Sequence, residues 1–191
     1  KHDFTFDYDA DTSKPTVTVS MDFYNEKRRL ELDVNKVDKD HHDHFLNGAI
    51  FEVYDKTIDS YVTTLASGQL MIAGEDKDTE YEISKKEDFA KIIKTVKTDE
   101  NEQIVLDIDD GTYYSRKVGD DKVTKHVVKD GKAVLSDAIY GHEYEFKEIK
   151  APTSYQLADK SKAYKVEADE ETDTIIYYFE NARIVVPNTG V

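Results

Sequence analysis

The 191-residue sequence has no cysteine, no tryptophan and three prolines. Without cysteine there is no disulfide, no thiolate nucleophile and no cysteine-ligated metal. Basic residues are the next shortage: 26 Lys and Arg stand against 41 Asp and Glu, a formal net charge of -15. Such a chain would not neutralise a nucleic-acid backbone, so no nucleic-acid partner is implied. Nor would it lie on an anionic membrane as a polybasic protein does. No apolar run approaches the ~18–20 residues of a membrane-spanning helix. The chain lacks an initiator methionine and a signal peptide, and it reads as a mature or excised segment. No nucleophile elbow surrounds any serine, and no constellation supports an enzyme acting on an external substrate.

What is present is aromatic and charged. Thirteen Tyr and eight Phe can nucleate a core, although only 38% of residues are hydrophobic and 35% are charged. Strict alternation is the strongest pattern, and it marks half-buried strands. Leu30, Leu32 and Val34 alternate with Glu31, Asp33 and Asn35; Phe51 and Val53 flank Glu52; Tyr144 and Phe146 alternate with Glu145 and Lys147. The run from Thr174 to Val186 is long, apolar and aromatic. Turn residues separate these runs at Asn47-Gly48, Asp110-Gly111, Gly119-Asp120, Asp130-Gly131 and Ala151-Pro152. The pattern predicts an all-β sandwich.

One stretch departs from it. Ser84-Lys85-Lys86-Glu87 fits a capping box, and Phe89, Ile92, Ile93 and Val96 fall at helical spacing. This predicts one short helix over about 85–97, inside an insertion of about 57–122. A weak internal repeat is also visible. Val19, Met21, Phe23 and Asn25, followed by Lys27-Arg28, echo Ile175, Tyr177, Phe179 and Asn181, followed by Ala182-Arg183. Either two strands are similar by chance, or residues 1–28 end a preceding module of the same kind.

Each alternating strand, followed one step further along its inward face, arrives at a polar residue. Leu30, Leu32 and Val34 lead to Lys36; Tyr144 and Phe146 lead to Glu148; Ile175, Tyr177 and Phe179 lead to Asn181. The bland reading is a buried salt bridge or charges at strand ends. The sharper one is chemical. Burial lowers a lysine pKa and raises a glutamate pKa. A neutral amine can then attack the Asn carboxamide while the acid moves protons. Loss of ammonia would leave a Lys–Asn isopeptide bond.

The motifs around these residues sharpen the choice. Leu32-Asp-Val-Asn-Lys-Val-Asp-Lys-Asp40, with Leu46-Asn-Gly-Ala-Ile-Phe-Glu-Val-Tyr-Asp55, resembles the opening of Cna B-type domains of Gram-positive surface proteins and pilins. Tyr144-Glu-Phe-Lys-Glu-Ile-Lys-Ala-Pro-Thr-Ser-Tyr155 resembles their E-box, with Phe146 for the usual Leu and Ser154 for the usual Gly. Tyr178-Phe-Glu-Asn181 is similar to their last strand. The resemblance covers about 29–56 and 123–185. It implies an Ig-like (reverse-immunoglobulin) Cna B-type sandwich over 29–185, with the inserted segment and its helix uncovered by the match. It also implies Lys36 as the amine, Asn181 as the acceptor and Glu148 as the catalytic acid. By the same logic Asn25 is a candidate acceptor of the preceding module, or a plain polar strand end.

Residues 186–191 carry a second resemblance. Val186-Pro187-Asn188-Thr189-Gly190 is similar to the sortase sorting signal Leu-Pro-x-Thr-Gly, with Val for Leu. The two resemblances imply an extracellular protein, anchored to the cell wall or built into a pilus. Its partners would be sortase, then peptidoglycan or neighbouring pilin subunits. The function expected is that of a stalk domain whose self-catalysed cross-link joins its first strand to its last. The alternative is an adhesin binding a host protein or glycan through the insertion. No cofactor is implied. His41-His42-Asp43-His44 has metal-binding residue types, but adjacent side chains in a loop point in different directions, and no metal is assigned.

Overall fold

The computed structural model describes residues 26–190. Its strands, in chain order, are β1 (Arg29–Asp38), β2 (Ile50–Asp55), β3 (Ser60–Ala66), β4 (Leu70–Ala73), β5 (Glu80–Ser84), β6 (Ile92–Lys97) and β7 (Gln103–Leu106). They continue with β8 (Gly111–Lys117), β9 (Thr124–Val128), β10 (Lys132–Ile139), β11 (Glu143–Lys150), β12 (Lys162–Lys165) and β13 (Thr174–Asn181). The candidate acceptor Asn25 and most of the proposed preceding module, 1–28, lie outside the described residues.

Two sheets make the main body. One has the order β10-β1-β13, the other β12-β11-β2-β3. Alternating residues of both sheets meet in one core: Leu30, Leu32, Val34, Phe51, Val53, Ala133, Leu135, Phe146, Tyr164 and Phe179. Two facing sheets with a shared apolar interior are a β-sandwich, as the alternation predicted. Phe51 sits at its centre, edge-on to Phe146 and Phe179 with ring centroids 5.9 and 4.9 Å away. The central strand β1 pairs antiparallel with β10 and parallel with β13. From Leu32 to Asp38 every residue of β1 is buried, which the sequence alternation alone did not require.

A second body lies between β3 and β10. Strands β4 and β7 pair with each other, and a four-stranded sheet runs β6-β5-β8-β9. Its own core is Leu70, Ile72, Ile83, Ile104, Tyr113 and Val128. Strand β3 falls within 57–122 yet extends the sheet of β2, while β9 runs to Val128, past residue 122.

The helix expected over 85–97 is absent: among the described residues there is no helix. Ser84 closes β5, and its hydroxyl accepts from the Lys86 N–H at 3.0 Å and donates to the Lys91 carbonyl at 2.8 Å. The capping serine therefore makes a turn, a competing use of the same side chain. Phe89 then takes a φ of 53°, in the left-handed region that a right-handed helix excludes. After it the β-branched pair Ile92-Ile93 enters β6, which pairs antiparallel with β5.

Candidate functional site

The first and last strands meet at their C-terminal ends. Their parallel register sets Lys36 opposite Phe179 and Asp38 opposite Asn181. Loops fix Lys36 from both sides: its N–H donates to the Gly131 carbonyl at 2.7 Å, and its carbonyl accepts from the Leu46 N–H at 2.8 Å. Gly131 belongs to the predicted Asp130-Gly131 turn, with a φ of 66°. A Cβ there would also meet the Phe45 Cβ at 2.3 Å, so both backbone conformation and space call for glycine. Glu148 comes from β11 in the opposite sheet, where it pairs with Phe51. The three inward faces therefore converge, and the relative exposures are 0% for Lys36, 4% for Glu148 and 3% for Asn181.

The contacts within this pocket are specific. Asn181 Nδ2 donates to both Glu148 oxygens, at 2.9 and 2.8 Å, and to the Gln156 carbonyl at 2.9 Å. The Gln156 carbonyl can only accept, so it orients the carboxamide with its nitrogen toward Glu148. Asn181 Oδ1 is buried and has no hydrogen-bond partner among the described residues. Glu148 Oε2 also accepts from the Ala158 N–H at 2.9 Å. Lys36 Nζ donates to the Phe179 carbonyl at 3.1 Å and lies 5.5 Å from the centroid of the Phe179 ring.

Electrostatics follow from the burial. Desolvation drops the Lys36 amine to about 8, with Glu148 pulling the other way. Desolvation pushes the Glu148 carboxyl up, against the Ala158 N–H, the Asn181 amide and the Lys36 charge. A partly neutral amine and a readily protonated acid are the two states that acyl transfer to an amine requires.

The remaining sequence candidates separate. Residues Val186, Pro187, Asn188, Thr189 and Gly190 follow β13 as an exposed segment outside any strand. In the histidine run, His42 contacts Glu180 at 2.6 Å and stacks on Tyr178, whereas His44 Nδ1 receives Arg183 at 3.3 Å. Their partners differ. Ser154, at the E-box glycine position, holds a φ of 72°. The turn thus keeps a left-handed residue although the glycine is gone.

The sequence reading missed Asp38. It continues the same inward face, two residues beyond Lys36, and it is 1% exposed. Its Oδ2 accepts from Tyr155 Oη at 2.8 Å and Arg183 Nε at 2.7 Å. The period-two argument that reached Lys36 would have found it; its partners lie over a hundred residues away in sequence and left no local signal.

Comparisons with known proteins bear on this region. Residues 115–183 match a family described as SpaA: Prealbumin-like fold domain. GBS52, the minor pilin of Streptococcus agalactiae, is 20% identical, covering 86% of this chain and 49% of that one, with a TM-score of 0.40. The group B streptococcus pilus 2b backbone protein is also 20% identical, with coverage of 82% and 42% and a TM-score of 0.39. Domains D2 and D3 of the major pilin SpaD from Corynebacterium diphtheriae are 17% identical, with coverage of 82% and 48% and a TM-score of 0.33. The chain spans about half the length of these solved structures. No curated protein matches it. The part of this chain similar to the prealbumin-like domain runs from within β8 to just past β13; it contains Glu148 and Asn181, and Lys36 lies before it.

Proposed function

We propose that this chain is a stalk domain of a cell-wall-anchored surface protein or pilin of a Gram-positive bacterium, closed by a self-formed Lys36–Asn181 isopeptide bond. The observation that carries the reading is the contact of Glu148 with the Asn181 amide nitrogen inside a pocket that also buries Lys36. Supporting it are the resemblance of residues 144–155 to an E-box, the exposed sorting-like segment 186–190 and the family match over 115–183.

The step balances within the trio. The neutral Lys36 Nζ attacks Asn181 Cγ, and an Nζ–Cγ bond forms. Protonated Glu148 delivers its proton to Nδ2, the atom it already touches, and receives one from Nζ. The Cγ–Nδ2 bond breaks, and ammonia leaves. Glu148 ends as it began, so it acts once, on its own chain. Proximity in a dry core supplies the rate.

The mechanical consequence follows from the topology. Strands β1 and β13 run parallel over eight residue pairs. Tension entering at Arg29 and leaving beyond Asn181 loads them in shear, and the bond would carry it from Lys36 to Asn181. The chain between would bear little load. The acidic surface would keep such modules soluble. Sortase would join the Thr189 carbonyl to an amine of peptidoglycan or of another subunit.

Intact mass tests the bond. The folded chain should weigh about 17 Da less than its sequence requires, the mass of one ammonia. Lys36→Ala, Glu148→Ala and Asn181→Ala should each restore the full mass. A wild-type chain of full mass refutes the bond and leaves the sandwich intact.

Adhesion through the inserted body is the second reading, favoured by the Ile92 and Ile93 side chains, each about 40% exposed on the outer strand β6. Ile92→Ser with Ile93→Ser should abolish binding to host cells while leaving the mass deficit. Unchanged binding would remove this reading.

A further inference from the structure

Three elements close over the candidate pocket at a single carboxylate. Asp38 lies on β1, two residues past Lys36 and opposite Asn181 in the register. Tyr155 lies on the loop after β11, and Arg183 lies just past β13. Asp38 Oδ2 receives both, Oδ1 receives the Asp40 N–H at 2.8 Å, and the Arg183 guanidinium sits 5.8 Å from the Tyr155 ring centroid. The backbone repeats the connection. Gln156 N–H donates to the Ala182 carbonyl and Ile184 N–H to the Ser154 carbonyl, each at 2.9 Å, while Lys39 N–H donates to the Asn181 carbonyl at 2.9 Å. The Gln156 carbonyl that orients the Asn181 amide belongs to this same loop.

We propose that Asp38, Tyr155 and Arg183 form a positioning clamp for the cross-linking reaction: Asp38 and Tyr155 hold the acceptor strand in register, and Arg183 cancels the Asp38 charge beside the attacking amine. This rests on the Lys36–Asn181 reading and adds residues that touch none of the reacting atoms.

The charges around Lys36 act on it with definite signs. Lys36 is surrounded by Glu148 from β11, Lys162 from β12, Asp38 from β1 and Glu180 from β13. The two carboxylates Asp38 and Glu180 favour its charged, unreactive form, as does Glu148, while Lys162 opposes them. Arg183 bonds directly to Asp38 and holds that carboxyl well below the usual carboxylate range, with Tyr155 assisting. A carboxylate there is charged at every pH at which the amine can react. Without Arg183 its charge would act unopposed on Lys36. A buried carboxylate with no clamp would therefore slow the reaction it borders.

The test follows bond formation in the full chain, recovered unfolded and unreacted from inclusion bodies and refolded across a pH series. Aliquots are quenched and weighed intact. Wild type should lose about 17 Da at a rate that rises with pH as the amine deprotonates and falls again where Glu148 gives up its proton, the midpoint being read on the rising limb. Arg183→Gln should move the midpoint of that profile up by about one pH unit and slow the reaction about tenfold at neutral pH. Asp38→Asn with Arg183→Gln should return the midpoint to that of wild type, though the reaction stays slower because the clamp is gone. Arg183→Lys should keep the wild-type midpoint. If Arg183→Gln does not fold, Asp38→Asn alone carries the test, because removing a negative charge should lower the midpoint.

A merely structural role predicts rates that fall by one factor at all pH values, with the midpoint fixed in every variant; that result overturns the clamp. A wild-type chain that refolds without losing mass overturns the cross-link reading, and the clamp with it. A normal wild type beside an unshifted Arg183→Gln overturns the clamp alone.

Discussion

The sandwich and the inserted body bury polar groups in different ways. In the inserted body the buried polar side chains are hydroxyls, and each is satisfied. Ser84 bonds to Lys86 and Lys91, Thr98 bonds to Thr79 at 2.9 Å and Asp76 at 2.6 Å, and Ser115 meets His126 at 2.7 Å. In the sandwich the buried polar groups are largely ionisable: Asp33, Lys36, Asp38, Asp55, His142 and Glu148. Several are ordinary pairs, such as His142 with Asp55 at 2.6 Å. The Lys36–Glu148–Asn181 group is different, because it buries an amine whose charge desolvation disfavours together with a carboxyl that desolvation pushes up and that binds the Asn181 amide. A fold selected only for stability would do better with apolar residues of similar volume there. The interior of one body is thus held by packing and neutral hydrogen bonds, with ion pairs such as Arg116–Glu82 at 2.8 Å outside that interior. The other accepts the cost of buried ionisable groups at the junction of its first and last strands, where a covalent bond would use them.

The largest effect expected from breaking that contrast is loss of the bond. It would close a loop of about 145 residues, and the chain-entropy treatment of such a loop gives roughly 5 kcal/mol. Lys36→Ala or Glu148→Ala should therefore lower the calorimetric Tm by about 10–20 °C in a chain of this size. A change of a degree or two would remove the covalent distinction between the two bodies.

Next in size is the reverse experiment. Ile83 is fully buried in the inserted core. Ile83→Ala should cost about 3 kcal/mol there. Hydrogen exchange should show that β5, β6, β8 and β9 lose protection while β1 and β13 keep theirs and the mass deficit remains. Loss of the deficit would show that the two bodies do not fold independently of each other's chemistry.

The buried amine gives a smaller effect. In Asn181→Ala, which cannot form the bond, Lys36 stays titratable. Its folded pKa of about 8 lies below the ordinary lysine value of 10.5, so the unfolded chain holds the proton over that interval. Stability should consequently rise between pH 8 and 10.5, by on the order of 2 kcal/mol. Adding Lys36→Met should flatten that rise in urea titrations; an identical slope would assign it to other groups.

The smallest effect concerns the E-box turn. Ser154 adopts a left-handed conformation that a glycine would hold without steric cost. Ser154→Gly should stabilise the chain by up to about 1 kcal/mol, read from its denaturation midpoint. Destabilisation would mean that the serine side chain contributes more than its backbone strain removes.

What was legible in the sequence depended on how local the signal was. Leu30 through Val34 and Tyr144 through Phe146 declared their inward faces by period two, and the same count led to Lys36, Glu148 and Asn181. The helix over 85–97 failed because helical spacing and a capping serine are also compatible with a turn followed by an edge strand; the left-handed Phe89 decides between them, and no residue type announces that. Strand β3 lies within the expected insertion of about 57–122, and its turn from β2 contains no glycine. Asp59 supplies the left-handed residue instead, with a φ of 50°. The Asp38–Tyr155–Arg183 contact needed the register of a parallel pair whose strands lie at opposite ends of the chain, and alternation within one strand cannot supply that.

The proposed stalk role stands or falls with one covalent bond between the Lys36 amine and the Asn181 carboxamide carbon. Tandem mass spectrometry of a protease digest would locate that bond. The digest should yield one branched peptide containing both residues, about 17 Da lighter than its two parts combined. Two separate linear peptides, with Lys36 unmodified and Asn181 intact, would contradict it.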